Sequence, residues 1–276
     1  MGPYLSIDET ALSKGELYTI ITNKKAKGKK GSIVAIFSGT KVEPIIEQLM
    51  KISNKKRDMV KEITLDMANS MKTIAKKCFP KAVQVTDRFH VQKLALEALQ
   101  DIRIKHRWDA IDQENEHIKR AKEKNRAFVP KEFSNGDTRK QLLARSRYLL
   151  YKSPNNWTPN QSERSRILFS QYPDIKLAFE LVQGLRHIFN TATTIQVAYT
   201  KLAHWYKDVE NTGFRAFNTI ANTISLNYRS ILNYFINRST NASAESFNAK
   251  IKAFRTQFRG VRNTEFFLFR LTQLFA

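Results

Sequence analysis

Cysteine is almost missing from this sequence of 276 residues, in which Cys78 stands alone. A single cysteine cannot form an internal disulfide, and no cluster of Cys and His has the spacing of a structural zinc site. We expect Cys78 to be a small buried side chain. The sequence also lacks any run of about 18 apolar residues and any secretory leader. It therefore predicts a soluble cytoplasmic protein with no membrane partner.

Acidic residues are scarce beside basic ones. Asp and Glu number 25 against 47 Lys and Arg, so the formal net charge is +22. The sequence is nevertheless 42% hydrophobic, which is enough to bury a core. A positive excess of this size favours nucleic acid as the partner, because Lys and Arg that neutralise backbone phosphates release bound counterions.

Strand and helix patterns alternate in the N-terminal part of the chain. Alternating apolar residues predict strands at 4–10, 17–22, 32–37, 62–66 and 82–86. Apolar residues at helical spacing predict helices at 42–52, with Thr40 as N-cap, and near 70–78. Three antiparallel strands followed by β-α-β crossovers predict an α/β fold, with a mixed five-stranded sheet and flanking helices. This order, with an acidic residue in the first strand, resembles the ribonuclease H-like fold.

Helical patterns fill most of the remaining sequence. They predict one long helix at 88–126 and further helices near 139–151, 159–171, 173–190 and 194–210, with no strand after Asp87. Trp157, in a Pro- and Asn-rich loop, is a candidate for stacking on unpaired DNA bases, although aromatics in such blocks more often belong to the core. In the first part of the chain, the lysine-rich connector 23–31 could grip DNA phosphates through Lys27 and Lys29. Equally, it could be a solvated, flexible hairpin tip.

A helix predicted within residues 240–263 has two different faces. Phe247, Ile251, Phe254 and Phe258 form an apolar face. The polar face carries Asn241, Glu245, Asn248, Lys252 and Arg255. One carboxylate between two amides, followed by cations, suits a metal ion held beside a polyanion, although an ordinary amphipathic helix has the same pattern. Backbone phosphate is the ligand expected for Lys252, Arg255 and Arg259.

Two aspartates fall where neighbouring strands of the predicted sheet would bring them together. Asp8 lies in the first strand and Asp66 ends the fourth. Adjacent like charges require either a raised pKa or a bound cation, and oxygen ligands favour Mg²⁺ or Mn²⁺. Two such ions can activate a water or a 3′-hydroxyl and stabilise the leaving oxygen of a phosphodiester. Glu245, arriving from a helix, fits as the third ligand.

Four segments in this order resemble the catalytic domain of ISL-three family insertion-sequence transposases: Ile7-Asp8-Glu9-Thr10, residues 63–67 around Asp66, residues 85–91 with Asp87-Arg88-Phe89-His90, and the Asn241, Glu245, Asn248 block. The resemblance implies a DDE transposase with Asp8, Asp66 and Glu245 as catalytic metal ligands. It also implies that residues 1–100 begin the core, residues 101–225 form an all-helical insertion, and residues 226–276 complete the core.

The sequence departs from the family pattern in two respects. Ala242 and Ser246 stand where members usually have glycine, which could change how closely DNA approaches the helix. Members also generally carry a zinc-binding segment and a helix-turn-helix before the first catalytic strand, with which this sequence starts. We therefore expect end recognition to come from a preceding region or from a separate small protein.

Asp87 and His90 match a pattern that many related transposases carry after the fifth strand. His90 could contact a phosphate or orient a ligand near the carboxylates. Alternatively, Asp87 caps the next helix while His90 packs beneath it.

These features predict a DNA transposase that cleaves a phosphodiester at the element's end and joins the freed 3′-hydroxyl to target DNA. The synapsis of two ends favours a homodimer. A metal-dependent, structure-specific nuclease of the same fold is one alternative. A non-catalytic DNA-binding protein derived from a transposase is another.

Overall fold

The computed structural model describes residues 1–13, 16–257 and 263–276. Its strands are β1 (Tyr4–Ser13), β2 (Glu16–Asn23), β3 (Ile33–Ser38), β4 (Glu62–Leu65) and β5 (Val83–Thr86). The α-helices are α1 (Val42–Met50), α2 (Asn54–Arg57), α3 (Asn69–Cys78), α4 (Arg88–Glu123), α5 (Arg139–Arg145), α6 (Arg147–Leu150), α7 (Pro159–Gln171), α8 (Pro173–Thr191), α9 (Ile195–Thr212), α10 (Arg215–Leu226), α11 (Tyr228–Leu232), α12 (Tyr234–Asn237), α13 (Ala242–Gln257) and α14 (Thr264–Phe275).

The chain divides into two compact units. The first contains Met1–His90 and Ile224–Ala276, and the second contains Val91–Thr223. Within the described ranges, no helix is long and apolar enough to cross a membrane.

The first unit is built on a mixed five-stranded sheet in the order β3-β2-β1-β4-β5. β1 pairs antiparallel with β2, and β2 pairs antiparallel with β3. β4 runs parallel to both β1 and β5. The predicted α/β class and mixed sheet with flanking helices are therefore confirmed.

One face of this sheet is apolar because alternate side chains of a strand point to the same side. Leu5 and Ile7 of β1 lie in a buried cluster with Ile63 and Leu65 of β4, and α1 and α3 supply much of the rest of that cluster. Cys78, on α3, is a fully buried free cysteine in this cluster, which agrees with the prediction of a small buried side chain. This packing leaves the intervening polar residues of β1 and β4 on the opposite face.

Helices of the C-terminal segment pack on that opposite face. Phe247 and Ile251 of α13, with Phe267 and Leu271 of α14, form a buried cluster with residues of β2 and β3 that includes Ile20. The apolar face predicted from helical spacing therefore docks α13 on the sheet. Phe258, also assigned to that face, lies outside the described residues.

The second unit is helical, and local capping explains several of its helix starts. Thr138 before α5 and Thr158 before α7 each form a capping box with the glutamine three residues later. Thr194 caps α9 through its hydroxyl. The Thr40 prediction was wrong: Lys41 is the N-cap residue of α1 and makes no side-chain capping hydrogen bond. The sequence patterns also predicted no helix at the positions of α2, α10, α11, α12 and α14.

Candidate active site

β1 and β4 bring two carboxylates to one edge of the sheet. The strands run in the same direction, with Ser6 paired to Thr64. Asp8 follows Ser6 by two residues, and Asp66 follows Thr64 by two residues and comes directly after β4. The two aspartates also act on each other electrostatically, since the charge of Asp66 contributes to the pKa of Asp8.

Both carboxylate oxygens of Asp8 accept hydrogen bonds. The Glu9 backbone N–H donates to Oδ1 at 2.9 Å, and Asn248 Nδ2 donates to Oδ2 at 2.6 Å. Burial raises the pKa of Asp8 and the charge of Asp66 adds to that effect. The two hydrogen bonds and the charge of His90 lower it but do not cancel the rise. An ionised Asp8 is therefore held at a cost that a nearby cation would relieve.

Asp66 lies beside the start of α4. Its Oδ1 accepts the Met67 backbone N–H at 2.5 Å and lies 3.5 Å from Nδ1 of His90. The His90 side chain therefore faces a carboxylate instead of packing beneath its helix.

Glu245 occupies the first turn of α13 and is exposed. Partial desolvation raises the pKa of Glu245, and the charges of Asp87 and Asp8 raise it further, while His90 opposes them. All three carboxylates predicted as ligands are thus electrically coupled, through Asp8, at one edge of the sheet.

A buried chain of hydrogen bonds fixes the start of α13. Ser6 Oγ donates to Asn241 Oδ1 at 2.5 Å, and the Asn241 backbone N–H donates to Asp87 Oδ2 at 3.2 Å. The other oxygen of Asp87 accepts the Phe89 N–H in the first turn of α4 at 3.2 Å. Asp87 therefore caps one helix and anchors a second. Asn241 and Asn248 are both buried and brace the site.

The donor chemistry of this cluster fits a hard divalent cation, but the side chains are not gathered into a ready-made metal site. Among the described residues, no group of three or more His, Cys, Asp and Glu could hold a metal ion as placed. The fit lies in the oxygen-rich donor set and in the repulsion of Asp8 by Asp66 and of Glu245 by Asp8. In the described part of the chain, Asn248 Oδ1 is also buried without a hydrogen-bond partner.

The predicted basic contacts lie in the β2–β3 connector and on α13. Lys27 and Lys29 are exposed in the β2–β3 connector, and Lys250 of α13 donates to the Gly28 carbonyl at 3.2 Å. The connector therefore lies against α13 instead of extending as a free hairpin tip. Two further basic residues of that helix were predicted to contact DNA, the exposed Lys252 and the half-buried Arg255. Arg259 lies outside the described residues.

Trp157 is engaged within the helical unit. Its ring stacks on Phe179 with centroids 5.5 Å apart, and its Nε1 donates to the Leu149 carbonyl at 2.8 Å. These contacts give the side chain a structural role, so its placement lends no support to the predicted stacking on DNA bases.

Sequence reasoning missed several polar residues beside the site. Lys24 Nζ lies 3.3 Å from Glu62 Oε1 and donates to Thr64 Oγ1 at 2.6 Å. Burial lowers the pKa of Lys24, opposed by the charges of Glu62 and Asp87. The sequence could have identified Ser6 as a residue of the site, because it lies two residues before Asp8 and therefore on the same face of β1. Nothing in the sequence pattern pairs Lys24 with Glu62.

Comparisons with known proteins identify the family. A family model described as Transposase, of the DDE ISL3 type, matches residues 5–271. The chain is 22% identical over 276 residues to the transposase for insertion sequence element IS1001 of Bordetella parapertussis, covering 99% of this chain and 61% of that protein. It is 30% identical over 135 residues to the transposase for insertion sequence element IS1557 of Mycobacterium tuberculosis, covering 48% of this chain and 29% of that protein. The chain thus spans less than two thirds of each relative's length, and it belongs to this family of insertion-sequence transposases.

Proposed function

We propose that this chain is the catalytic part of a DNA transposase, with a ribonuclease H-like core that uses two Mg²⁺ or Mn²⁺ ions. Its substrates would be transposon ends and target DNA. The proposal is supported by Asp8 in β1 and Asp66 directly after the parallel neighbouring strand β4, with Glu245 within electrostatic reach of Asp8. The strand order of the sheet, in which an antiparallel trio continues into two parallel strands, supports the ribonuclease H-like assignment.

In this proposal Asp8, Asp66 and Glu245 hold the ions. When bound, the ions supply activation of water or of a 3′-hydroxyl, together with charge stabilisation at the leaving oxygen. Asn248 fixes the orientation of Asp8 through the bond to Oδ2. Asp87 and Asn241 fix the first turn of α13, which sets the position of Glu245. These three residues therefore act by positioning.

His90 and the basic residues contribute at the substrate's phosphates. With Nδ1 3.5 Å from Asp66, His90 can orient that carboxylate and present its other ring nitrogen to a phosphate. Lys252 and Arg255 on α13, with Lys27 and Lys29 on the adjoining connector, can bind backbone phosphates without reading base sequence.

The proposed partners follow from the reaction. Strand transfer needs two element ends held together, so we propose a homodimer on DNA. Recognition of those ends is assigned to another region or to a separate small protein. The proposed place of action is nucleoid DNA in the cytoplasm.

Asp66→Asn tests this proposal directly. The variant should lose Mn²⁺-dependent cleavage of plasmid DNA, while Lys56→Ala, an exposed change on α2, should cleave at the wild-type rate. Cleavage by Asp66→Asn at the wild-type rate would contradict the assignment. With the element ends supplied as substrate, joined strand-transfer products indicate transposition, and cleavage alone indicates a nuclease. Calorimetry without any Mn²⁺ or Mg²⁺ binding would favour a non-catalytic DNA-binding protein.

A further inference from the structure

A groove of about 570 Å³ lies beside β5, between α3 and α11 in the first unit. Its lining includes Lys72, Lys76, Gln84, Tyr228, Arg229 and Asn233. None of these residues belongs to the carboxylate site described above.

The groove carries three cations. Lys72 and Lys76 are four residues apart on α3, so their side chains are neighbours on one helix face. Arg229 reaches the groove from α11 and is exposed. Within the described part of the chain, neither Lys76 nor Arg229 forms an ion pair with a carboxylate. Their charges are therefore free to meet an anion.

Lys72 connects the groove to the carboxylate site. Its Nζ donates to Asn227 Oδ1. Burial lowers the pKa of Lys72, and the charge of Asp66 opposes that effect, so Asp66 is within electrostatic reach. The Oγ of Ser230, which lines the groove, also lies 2.8 Å from Oγ1 of Thr86, the residue before Asp87, so the groove borders the end of β5 at the carboxylate site.

Hydrogen bonds from side chains to backbone carbonyls fix the elements that line the groove. Gln84 Nε2 donates to the Lys72 carbonyl at 3.3 Å, and Asn233 Nδ2 donates to the Gln84 carbonyl at 2.9 Å. β5 is thus connected to α3 and to Asn233, the C-cap residue of α11.

The rim of the groove is apolar and aromatic. Tyr228 is 42% exposed and Leu226, which also lines the groove, is 86% exposed. The guanidinium of Arg229 lies 5.8 Å from the Tyr228 ring centroid, and its Nε donates to the Tyr228 hydroxyl at 3.1 Å. An exposed ring held beside a cation suits an unpaired base next to its phosphate.

We propose that this groove binds a short stretch of single-stranded DNA beside the reacting phosphate. Lys72, Lys76 and Arg229 contact phosphates of that strand, and Tyr228 stacks on one base. The location next to a reacting phosphate rests on the proposed function, whereas the binding itself does not require catalysis.

The test is fluorescence anisotropy with labelled oligothymidylate of about 16 nucleotides, in EDTA, so that no divalent ion takes part. The double variant Lys76→Ala, Arg229→Ala should bind roughly ten- to thirtyfold more weakly at about 0.1 M salt, and its salt slope should fall by roughly 1.4. The control Lys55→Ala, Lys56→Ala removes the same charge from exposed positions of α2 and should bind like the wild type. Equal losses in the two double variants would overturn the proposal, as would a wild-type chain that does not bind the oligonucleotide.

Substitutions at Tyr228 distinguish the contribution of base stacking to DNA binding from the contribution of charge. Tyr228→Ala should weaken binding about fivefold to a hundredfold, and Tyr228→Phe, which keeps the ring, should restore most of it. Wild-type affinity in Tyr228→Ala would remove the tyrosine from the site. If the groove variants lose binding but Asp66→Asn still cleaves, the groove stands and the proposed catalytic site fails. If Asp66→Asn is inactive and the groove variants bind normally, the reverse holds.

Discussion

Asp8 in the sheet unit and Asp137 in the helical unit are aspartates with opposite electrostatic surroundings. The Asp137 side chain is fully buried, yet Arg164 Nε lies 2.7 Å from its Oδ2 and Arg145 pairs with its Oδ1. Although burial acts to raise the pKa of Asp137, these two arginines lower it overall. Asp8 instead has Asp66 nearby and a raised pKa.

The contrast separates a carboxylate that stabilises its unit from carboxylates that we propose to bind a metal ion. Arginines supply the opposite charge that a buried carboxylate needs. At the edge of the sheet, the charge of His90 only partly offsets the raised pKa values of Asp8 and Glu245, so a bound cation would stabilise both carboxylates further. Substitutions at Asp8 and at Asp137 should therefore differ in whether they reduce activity or stability.

Asp8→Asn should have the largest effect, and the effect should be on activity alone. Losing one anionic ligand is expected to slow Mn²⁺-dependent cleavage at least about a thousandfold, which is roughly 4 kcal/mol of barrier. The urea midpoint should change little, because the neutral amide relieves the repulsion from Asp66 but keeps only one of the two oxygens that accept hydrogen bonds. A large fall in stability without loss of cleavage would contradict the assignment of Asp8.

Asp137→Asn should do the opposite. Removing the carboxylate leaves two arginines without their shared partner, so urea unfolding should show a loss of about 3 kcal/mol. Asp58→Asn is the matched control, because Asp58 pairs with Lys81 through exposed side chains and should cost less than about 1 kcal/mol. Equal losses in the two variants would contradict the structural role given to Asp137.

Acidification should erase the penalty of Asp137→Asn. The folded-state pKa of Asp137 is lowered, so its contribution is present above the pKa of about 3.9 expected in the unfolded chain and is lost as pH falls through the folded value. Urea midpoints of the wild type and the variant should therefore converge at low pH and separate as pH rises toward neutrality. A gap that stays constant with pH would mean that the ion pairs are not its cause.

Asn248→Ala should have the smallest of these effects. It removes the hydrogen bond to Asp8 Oδ2 but no proposed ligand, so Mn²⁺ affinity in calorimetry should fall about ten- to a hundredfold. Gln257→Ala, an exposed amide on the same helix, should leave the affinity unchanged. Unchanged affinity in Asn248→Ala would mean that Asp8 does not need this orientation.

Local patterns were sufficient to predict the five strands of the mixed sheet. Strand alternation fixes which residues of β1 share a face, and helical spacing places Glu245 opposite the apolar stripe of α13. The burial of Asn248 was not predictable in this way, because it results from a polar side of α13 meeting the polar face of β1. Periodicity within one helix cannot reveal what another element presents to it.

Contacts between residues distant in sequence were the part that sequence reasoning missed. The sequence around Trp157 predicts an exposed loop residue, but its ring packs on Phe179 of α8. Arg145 and Arg164 have no periodic relation to Asp137 that would have paired them. Such pairings depend on the packing of whole helices, and only the fold supplies it.

The most direct test of the central claim is a crystal structure of the chain soaked in Mn²⁺, with anomalous scattering used to locate the metal. We predict anomalous density for Mn²⁺ among Asp8, Asp66 and Glu245, and none at these residues in an Asp8→Asn crystal soaked in the same way. Mn²⁺ bound only elsewhere, with all three carboxylates free of it, would contradict the account.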